Sequence, residues 1–146
     1  AQQAVASVQN EHTDFNLKHA TPKDYEKYID LVPKELKGYW YATIYNYHIT
    51  LEAKKELLRP NPNILFLGDL MNQHQRILEN EIKNTPLEMV QMMKAAREAG
   101  ALGAKTIGSG GGGCMVAMVT EDTEERVKRA FLDHGAKAVY AVNLTN

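Results

Sequence analysis

The chain has 146 residues, which is long enough for one domain with a real hydrophobic core. Its formal net charge of -1, with 44% hydrophobic and 24% charged residues, gives no field that would attract nucleic acid or an anionic membrane. Its single cysteine excludes an internal disulfide, and it has neither a long apolar run nor a signal-like N-terminus. We therefore expect a cytoplasmic protein with no nucleic-acid or membrane partner.

The first half of the chain is predicted to be one short strand followed by helices. The segment QAVASVQ, residues 3–9, is short, apolar and modestly β-favouring, which indicates a strand. Thr21-Pro22-Lys23-Asp24 predicts the start of a short helix, with a hydroxyl cap, a proline and an acid in the first turn. Apolar residues at helical spacing predict a long helix from Pro33 and a further one over Ile64–Ile82, separated by RPNPN at 59–63.

The second half is predicted to alternate helices and strands around a glycine-rich loop. Thr85-Pro86-Leu87-Glu88 has the pattern of a capped helix with a capping-box glutamate, and Gly100 suits its end. Asp122, with Glu125 three residues later, predicts another capped helix that Gly135 closes. The segments expected to form strands, the second of them buried, are GAKTIG, CMVAMV and AKAVYAVNL, at 103–108, 114–119 and 136–144.

This order of elements predicts the fold class. A strand, a helical block, two strands joined by a glycine loop, a helix and a last strand favour an α+β fold. The natural packing is an antiparallel sheet with helices on one face, of the ferredoxin-like split βαβ type. We expect one domain over residues 1–146.

The glycine loop is the strongest candidate site. Its G-x-G-x-x-G pattern does not indicate a dinucleotide loop, because a strand and not a helix is predicted directly after it. Nor is it a P-loop, because Lys105 precedes the glycines. A hairpin turn needs one or two glycines, so the excess favours close approach of a phosphate or another backbone over a plain wide turn. The loop residues are Gly108, Ser109, Gly110, Gly111, Gly112 and Gly113.

Two other side chains are candidates for contact with a phosphate or substrate. Lys105 precedes the loop and either reaches a phosphate or is a solvated edge-strand lysine. His74 interrupts an apolar helix stripe and is either half-buried and hydrogen-bonded or directed at a site. Cys114 is expected to be a small buried hydrophobic residue. The histidines have no metal-ligand spacing, and we assign neither a metal site nor a catalytic residue.

Two segments resemble the C-terminal domain of the GHMP small-molecule kinases, the family of galactokinase, homoserine kinase, mevalonate kinase and phosphomevalonate kinase. Residues 96–119 look like the family's C-terminal glycine-rich motif, and LGDLMNQHQRILEN, residues 67–80, is similar to the helix that precedes it. The resemblance extends over roughly residues 33–146. The lysine at 105 and the absence of phenylalanine among the glycines look closer to mevalonate kinase, whereas residues 33–53 are similar to galactokinase. We favour a galactokinase-like sugar kinase.

The resemblance implies an ATP- and Mg²⁺-dependent enzyme that transfers the γ-phosphoryl group of ATP to a small molecule, a sugar or mevalonate. Family members carry their ATP loop and catalytic aspartate in an N-terminal domain, and neither motif occurs in this sequence. Residues 1–146 would then be a C-terminal lobe, inactive alone, whose Gly108–Gly113 loop packs beside the ATP loop of an N-terminal partner domain. The alternative is a self-sufficient ferredoxin-like module that binds a ligand or has a regulatory role.

Overall fold

A computed structural model describes residues 1–108 and 111–143. They fall into two compact units, one made of residues 1–62 and 76–83 and the other of residues 63–75 and the chain from 84 onward. None of the helices in these ranges is long and apolar enough to cross a membrane. The main elements are α1 (Gln2–Glu11), α2 (Pro22–Tyr28), α3 (Lys37–Leu57), α4 (Ile64–Ile77), α5 (Leu87–Glu98), β1 (Gly103–Thr106), β2 (Met115–Met118) and α6 (Glu124–Asp133).

The first unit has a helical core in place of the predicted N-terminal strand. Residues 3–9 lie within α1, so the strand prediction is wrong. Ala4 and Val8, four residues apart and therefore on one face of a helix, are both fully buried. They pack in one cluster with Trp40 and Ile44 of α3. Burial at helical spacing thus outweighs the modest β preference of a short apolar segment.

The predicted starts of α2 and α4 are confirmed, whereas α3 begins at Lys37 and not at Pro33, and the start of α5 is shifted. At α2, Thr21 is the N-cap as predicted, and its N–H also donates to the Asp24 carboxylate at 2.7 Å, as in a capping box. At α5, Pro86 occupies the N-cap position and no side chain caps the helix, so the Thr85 cap is wrong. The Thr85 hydroxyl accepts a hydrogen bond from Gln75 instead.

Two further boundaries differ from the sequence-based expectation. The last helix begins at Glu124 with Thr123 at its N-cap, because the Asp122 carboxylate accepts a bond from the Thr120 hydroxyl instead of capping the helix. The predicted helix over Ile64–Ile82 is confirmed, but its last turn, Leu78–Ile82, is a π-helix.

The second unit contains an antiparallel hairpin of β1 and β2, with Ala104 opposite Ala117 and Lys105 opposite Val116. Helices α5 and α6 pack on the face that carries Ala104 and Ala117. The predicted α+β class is confirmed, and within the described residues the sheet has two strands. The expected burial of the second strand is wrong, because Val116 is 40% exposed.

The predicted last strand is also wrong over residues 136–143, where the structure has no strand. Val139 packs on the α5–α6 cluster, but Tyr140 and Val142 are 83% and 79% exposed. A segment of alternating apolar residues forms a strand only where a neighbouring strand pairs with it. No strand in the described part of the chain does so.

Helix α4 approaches β1 so closely that both contact points are glycine. A Cβ atom built on Gly68 would lie 2.7 Å from the carbonyl carbon of Leu102. A Cβ atom on Gly103 would lie 2.8 Å from the Cα of Gly68. Backbone atoms cannot yield to a methyl group at these distances, so only glycine permits this packing.

We expect Gly103→Ala to lower the free energy of unfolding by about 1–3 kcal/mol, the usual cost of overpacking a close contact. Urea denaturation followed by far-UV circular dichroism measures this free energy. Tryptophan fluorescence is unsuitable, because Trp40, the chain's one tryptophan, lies in the other unit. Gly111→Ala is the matched control, since its Cβ meets no atom within 4 Å. A Gly103→Ala protein as stable as the control would contradict the packing argument.

Candidate functional site

The glycine loop stands at the end of the β1–β2 hairpin. The Ile107 N–H donates to the Cys114 carbonyl at 2.9 Å and is the last described backbone bond across the hairpin before the loop. Beyond it, Gly108 and Gly111 to Gly113 are all exposed. Ser109 and Gly110, also predicted as site residues, lie outside the described residues.

At most of the described loop positions, the backbone conformation requires glycine. Gly108, Gly112 and Gly113 have φ values of +79°, +145° and +95°, which side chains other than glycine rarely adopt. Gly111 is different, because its φ lies outside this range and a Cβ atom there would meet nothing within 4 Å. Neither conformation nor packing within the described residues accounts for glycine at position 111.

At the base of this loop, the charge of Lys105 acts on His74. Lys105, on β1, is half-buried, and its Nζ donates to the Thr106 carbonyl at 2.6 Å, so it is not a fully solvated edge lysine. Burial lowers the pKa of Lys105. His74, on α4, has its pKa lowered by burial and further by the charge of Lys105. Its Nδ1 is buried with no hydrogen-bond partner among the described residues.

Cys114 differs from the prediction. Its side chain is exposed and reduced, so its expected burial is wrong. The position lies between the loop and β2, beyond the part of the hairpin that α5 and α6 cover.

Sequence reasoning missed two amide side chains that hold β1. Asn72 and Gln75 of α4 bond to backbone groups of Leu102, Ala104 and Thr106. Together with Gly68 they stand at i, i+4 and i+7, which is one face of a helix. The available signal was the presence of two amide residues at helical spacing on an otherwise apolar face. Such a pattern indicates a helix whose side chains bond to the edge of a strand.

A depression in the first unit is a weaker candidate. It has a volume of about 160 Å³ and is lined in part by Asp14, His19 and Asp24. Ligand pockets in proteins are larger, about 300–1,000 Å³. The Asp24 carboxylate is also occupied by the N–H and hydroxyl of Thr21.

The family assignment follows from a comparison with known protein families. Residues 53–137, more than half of the chain, match the family described as GHMP kinases C terminal. The chain belongs to this family. The match includes α4, α5, the glycine hairpin and α6. The resemblance seen in residues 67–80 and 96–119 is confirmed.

Individual relatives of this GHMP kinase C-terminal chain include two kinds of enzyme. The mevalonate kinase of Methanothermobacter thermautotrophicus is 45% identical over 69 residues, 47% of this chain and 22% of that protein. The galactokinase of Streptococcus thermophilus is 38% identical over 82 residues, 56% of this chain and 21% of that protein.

A solved structure shares the fold. Lactococcus lactis galactokinase complexed with galactose matches with a TM-score of 0.77 and 23% identity, over 91% of this GHMP kinase C-terminal chain and 36% of that chain. The present chain therefore spans well under half the length of each of these three relatives.

We expect Lys105→Met to raise the pKa of His74, because it removes a nearby positive charge that disfavours the imidazolium. The pKa should still stay below its ordinary value, since burial remains. NMR titration of the His74 Cε1–H signal measures the change. Lys94→Met, on the exposed surface of α5, is the control and should leave that pKa unchanged. An unaltered pKa in Lys105→Met would show that the two side chains do not interact.

Proposed function

We propose that this chain is the C-terminal lobe of an ATP-dependent small-molecule kinase and completes the active-site cleft of an N-terminal domain. The observation that carries the proposal is Gly111, a glycine that nothing in the described chain requires. A bare backbone at that point is explained if another segment, the ATP-binding loop of the N-terminal domain, packs against it. Residues 1–146 then act as one domain in the intact protein.

The loop's chemistry fits the phosphates of ATP. Exposed backbone N–H groups of successive glycines can form a concave anion-binding nest. The ammonium of Lys105 stands on the strand that enters the loop. The charge of Lys105 also acts on His74, whose Nδ1 has no hydrogen-bond partner in the part of the chain that the structure describes. We propose that these two side chains contact a phosphate or substrate oxygen at the base of the loop.

Mg²⁺ would be held mainly outside this chain. Among the described residues, no group of three or more His, Cys, Asp or Glu side chains could hold a metal ion. When bound with ATP, the ion would neutralise charge on the transferred phosphoryl group. We assign its ligands and the catalytic aspartate to the N-terminal domain.

The role of this chain in the reaction is positional. Phosphoryl transfer depends mostly on alignment and electrostatic stabilisation. The hairpin presents its glycine backbone to the phosphate loop, and at Gly111 no side chain separates the two. Lys105 adds positive charge near the transferred group. With no catalytic base of its own, the isolated chain is expected to be inactive.

We propose a sugar kinase of the galactokinase kind. The 91% of the chain that shares its fold with a galactokinase, and the galactokinase-like residues 33–53, support this substrate class. Mevalonate is the second candidate, supported by the 45% identity to a mevalonate kinase, by Lys105 and by the absence of phenylalanine among the loop glycines.

The test is a phosphoacceptor screen on the full-length protein that contains this sequence, with galactose, other hexoses and mevalonate as acceptors. We expect ATP-dependent phosphorylation of galactose, and no turnover by residues 1–146 alone. Phosphorylation of mevalonate alone would favour the second candidate. Robust turnover by the 146-residue chain would contradict the lobe assignment, and a natural chain of this length without a partner would favour a self-sufficient binding module.

We expect Gly111→Val in the full-length enzyme to lower kcat at least tenfold while the melting temperature stays unchanged. The valine meets open space within this chain, so its cost falls on the apposition of the two loops. Gly111→Ala should give a smaller loss, and Ala138→Val, an exposed position outside the hairpin, should give none. Unchanged turnover in Gly111→Val would mean that the loop is only a connector.

A further inference from the structure

The outer edge of β1 is hydrogen-bonded by a helix. Strand β2 pairs with one edge of β1, and the Ala104 and Thr106 N–H groups point to the other edge. The Ala104 N–H donates to the Asn72 Oδ1 at 3.1 Å, and the Leu102 carbonyl accepts from the Asn72 Nδ2 at 3.0 Å. The Asn72 amide therefore pairs with β1 as a neighbouring strand would.

Gln75 continues this pairing at the end of the strand nearest the loop. Its Oε1 accepts from the Thr106 N–H at 2.9 Å and from the Thr106 hydroxyl at 3.2 Å. Its Nε2 donates to the Thr85 hydroxyl at 3.2 Å, just before α5. The Gln75 side chain thus joins α4, β1 and the segment before α5.

Burial makes this junction stiff. Gln75 is 1% exposed and Thr106 is fully buried, so their hydrogen bonds lie in a low-dielectric interior away from competing water. Breaking one would leave a buried polar group without a partner, which costs more than an exposed bond is worth. The end of β1 is therefore held in one position relative to α4 and α5.

We propose that Gln75, supported by Asn72, is a positioning residue for the glycine loop. Thr106 is the last residue of β1 and stands two positions before Gly108. The direction in which the chain enters the loop is set where Gln75 holds Thr106. This inference rests on the proposed function, because it concerns the placement of the loop against the phosphates.

Asn72 and Gln75 hold β1 at different distances from the glycine loop, so the effects of replacing each can be compared. Asn72 holds β1 at Leu102 and Ala104, whereas Gln75 holds it at Thr106. If the amides only stabilise the fold, replacing either should affect activity in step with its effect on stability. If Gln75 positions the loop, its loss should lower turnover more than the loss of Asn72 does at equal cost in stability.

The experiment measures kcat and KM for the full-length protein and its Gln75→Leu, Gln75→Glu, Asn72→Leu and Gln73→Leu variants. Gln73 is the control, an amide on the same helix that bonds to Asp69 at an exposed site. We expect Gln75→Leu to lower kcat about ten- to a hundredfold per folded molecule, the usual effect of a misplacement near 1 Å. KM should change less than about threefold, because ground-state binding is retained. Gln75→Glu keeps an acceptor for Thr106 and should restore most of kcat.

Hydrogen exchange of the same proteins provides a readout that does not depend on activity. We expect Gln75→Leu to speed exchange in a peptide covering Thr106 and Gly108 while exchange in α6 stays unchanged. Wild-type kcat per folded molecule in Gln75→Leu, or a loss that only follows stability, would overturn the inference. If the unaltered protein transfers no phosphoryl group, the proposed function fails, and the exchange data alone decide whether Gln75 holds the loop entry.

Discussion

The contact between α4 and β1 is the constraint on which the site depends. Gly68 and Gly103 remove the side chains that would keep helix and strand apart, and this closeness brings the Asn72 and Gln75 amides to the free edge of β1. The unpaired N–H and C=O groups of an edge strand can pair with another chain unless a neighbouring element covers them. Here the side chains of a helix bond to these backbone groups, so the edge of a hairpin of two four-residue strands is held in place.

Apart from the loop positions where a positive φ requires it, glycine has two different roles in this unit. At Gly68 and Gly103 the missing side chain permits a contact that the structure contains, whereas at Gly111 the space beside the backbone is open. The first role stabilises the hairpin, and the second leaves its tip available for another segment. A rigid base with a bare tip is suited to press against a phosphate-binding loop, since the tip contributes backbone groups and the base keeps them in place.

The electrostatics of the site follow from the same packing. Because α4 lies along β1, His74 faces the charge of Lys105, and partial burial lowers the pKa of both side chains. An anion bound beside them would favour the charged form of each side chain and so raise both pKa values. The buried Nδ1 of His74, unpartnered within the described chain, is consistent with such a ligand.

The sequence by itself determined the helices after α1, the hairpin and the family, because helical periodicity, the Thr21–Asp24 helix start and the glycine run are local patterns. Only the tertiary structure decided the outcome where one segment needs another. Residues 3–9 became a helix because a helical core buries Ala4 and Val8. Residues 136–143 formed no strand, since no strand of the described ranges pairs with them. Thr85 does not cap α5, and its hydroxyl accepts a hydrogen bond from Gln75. The amide pairing of α4 with β1 joins residues about 30 positions apart, so no local pattern predicts it.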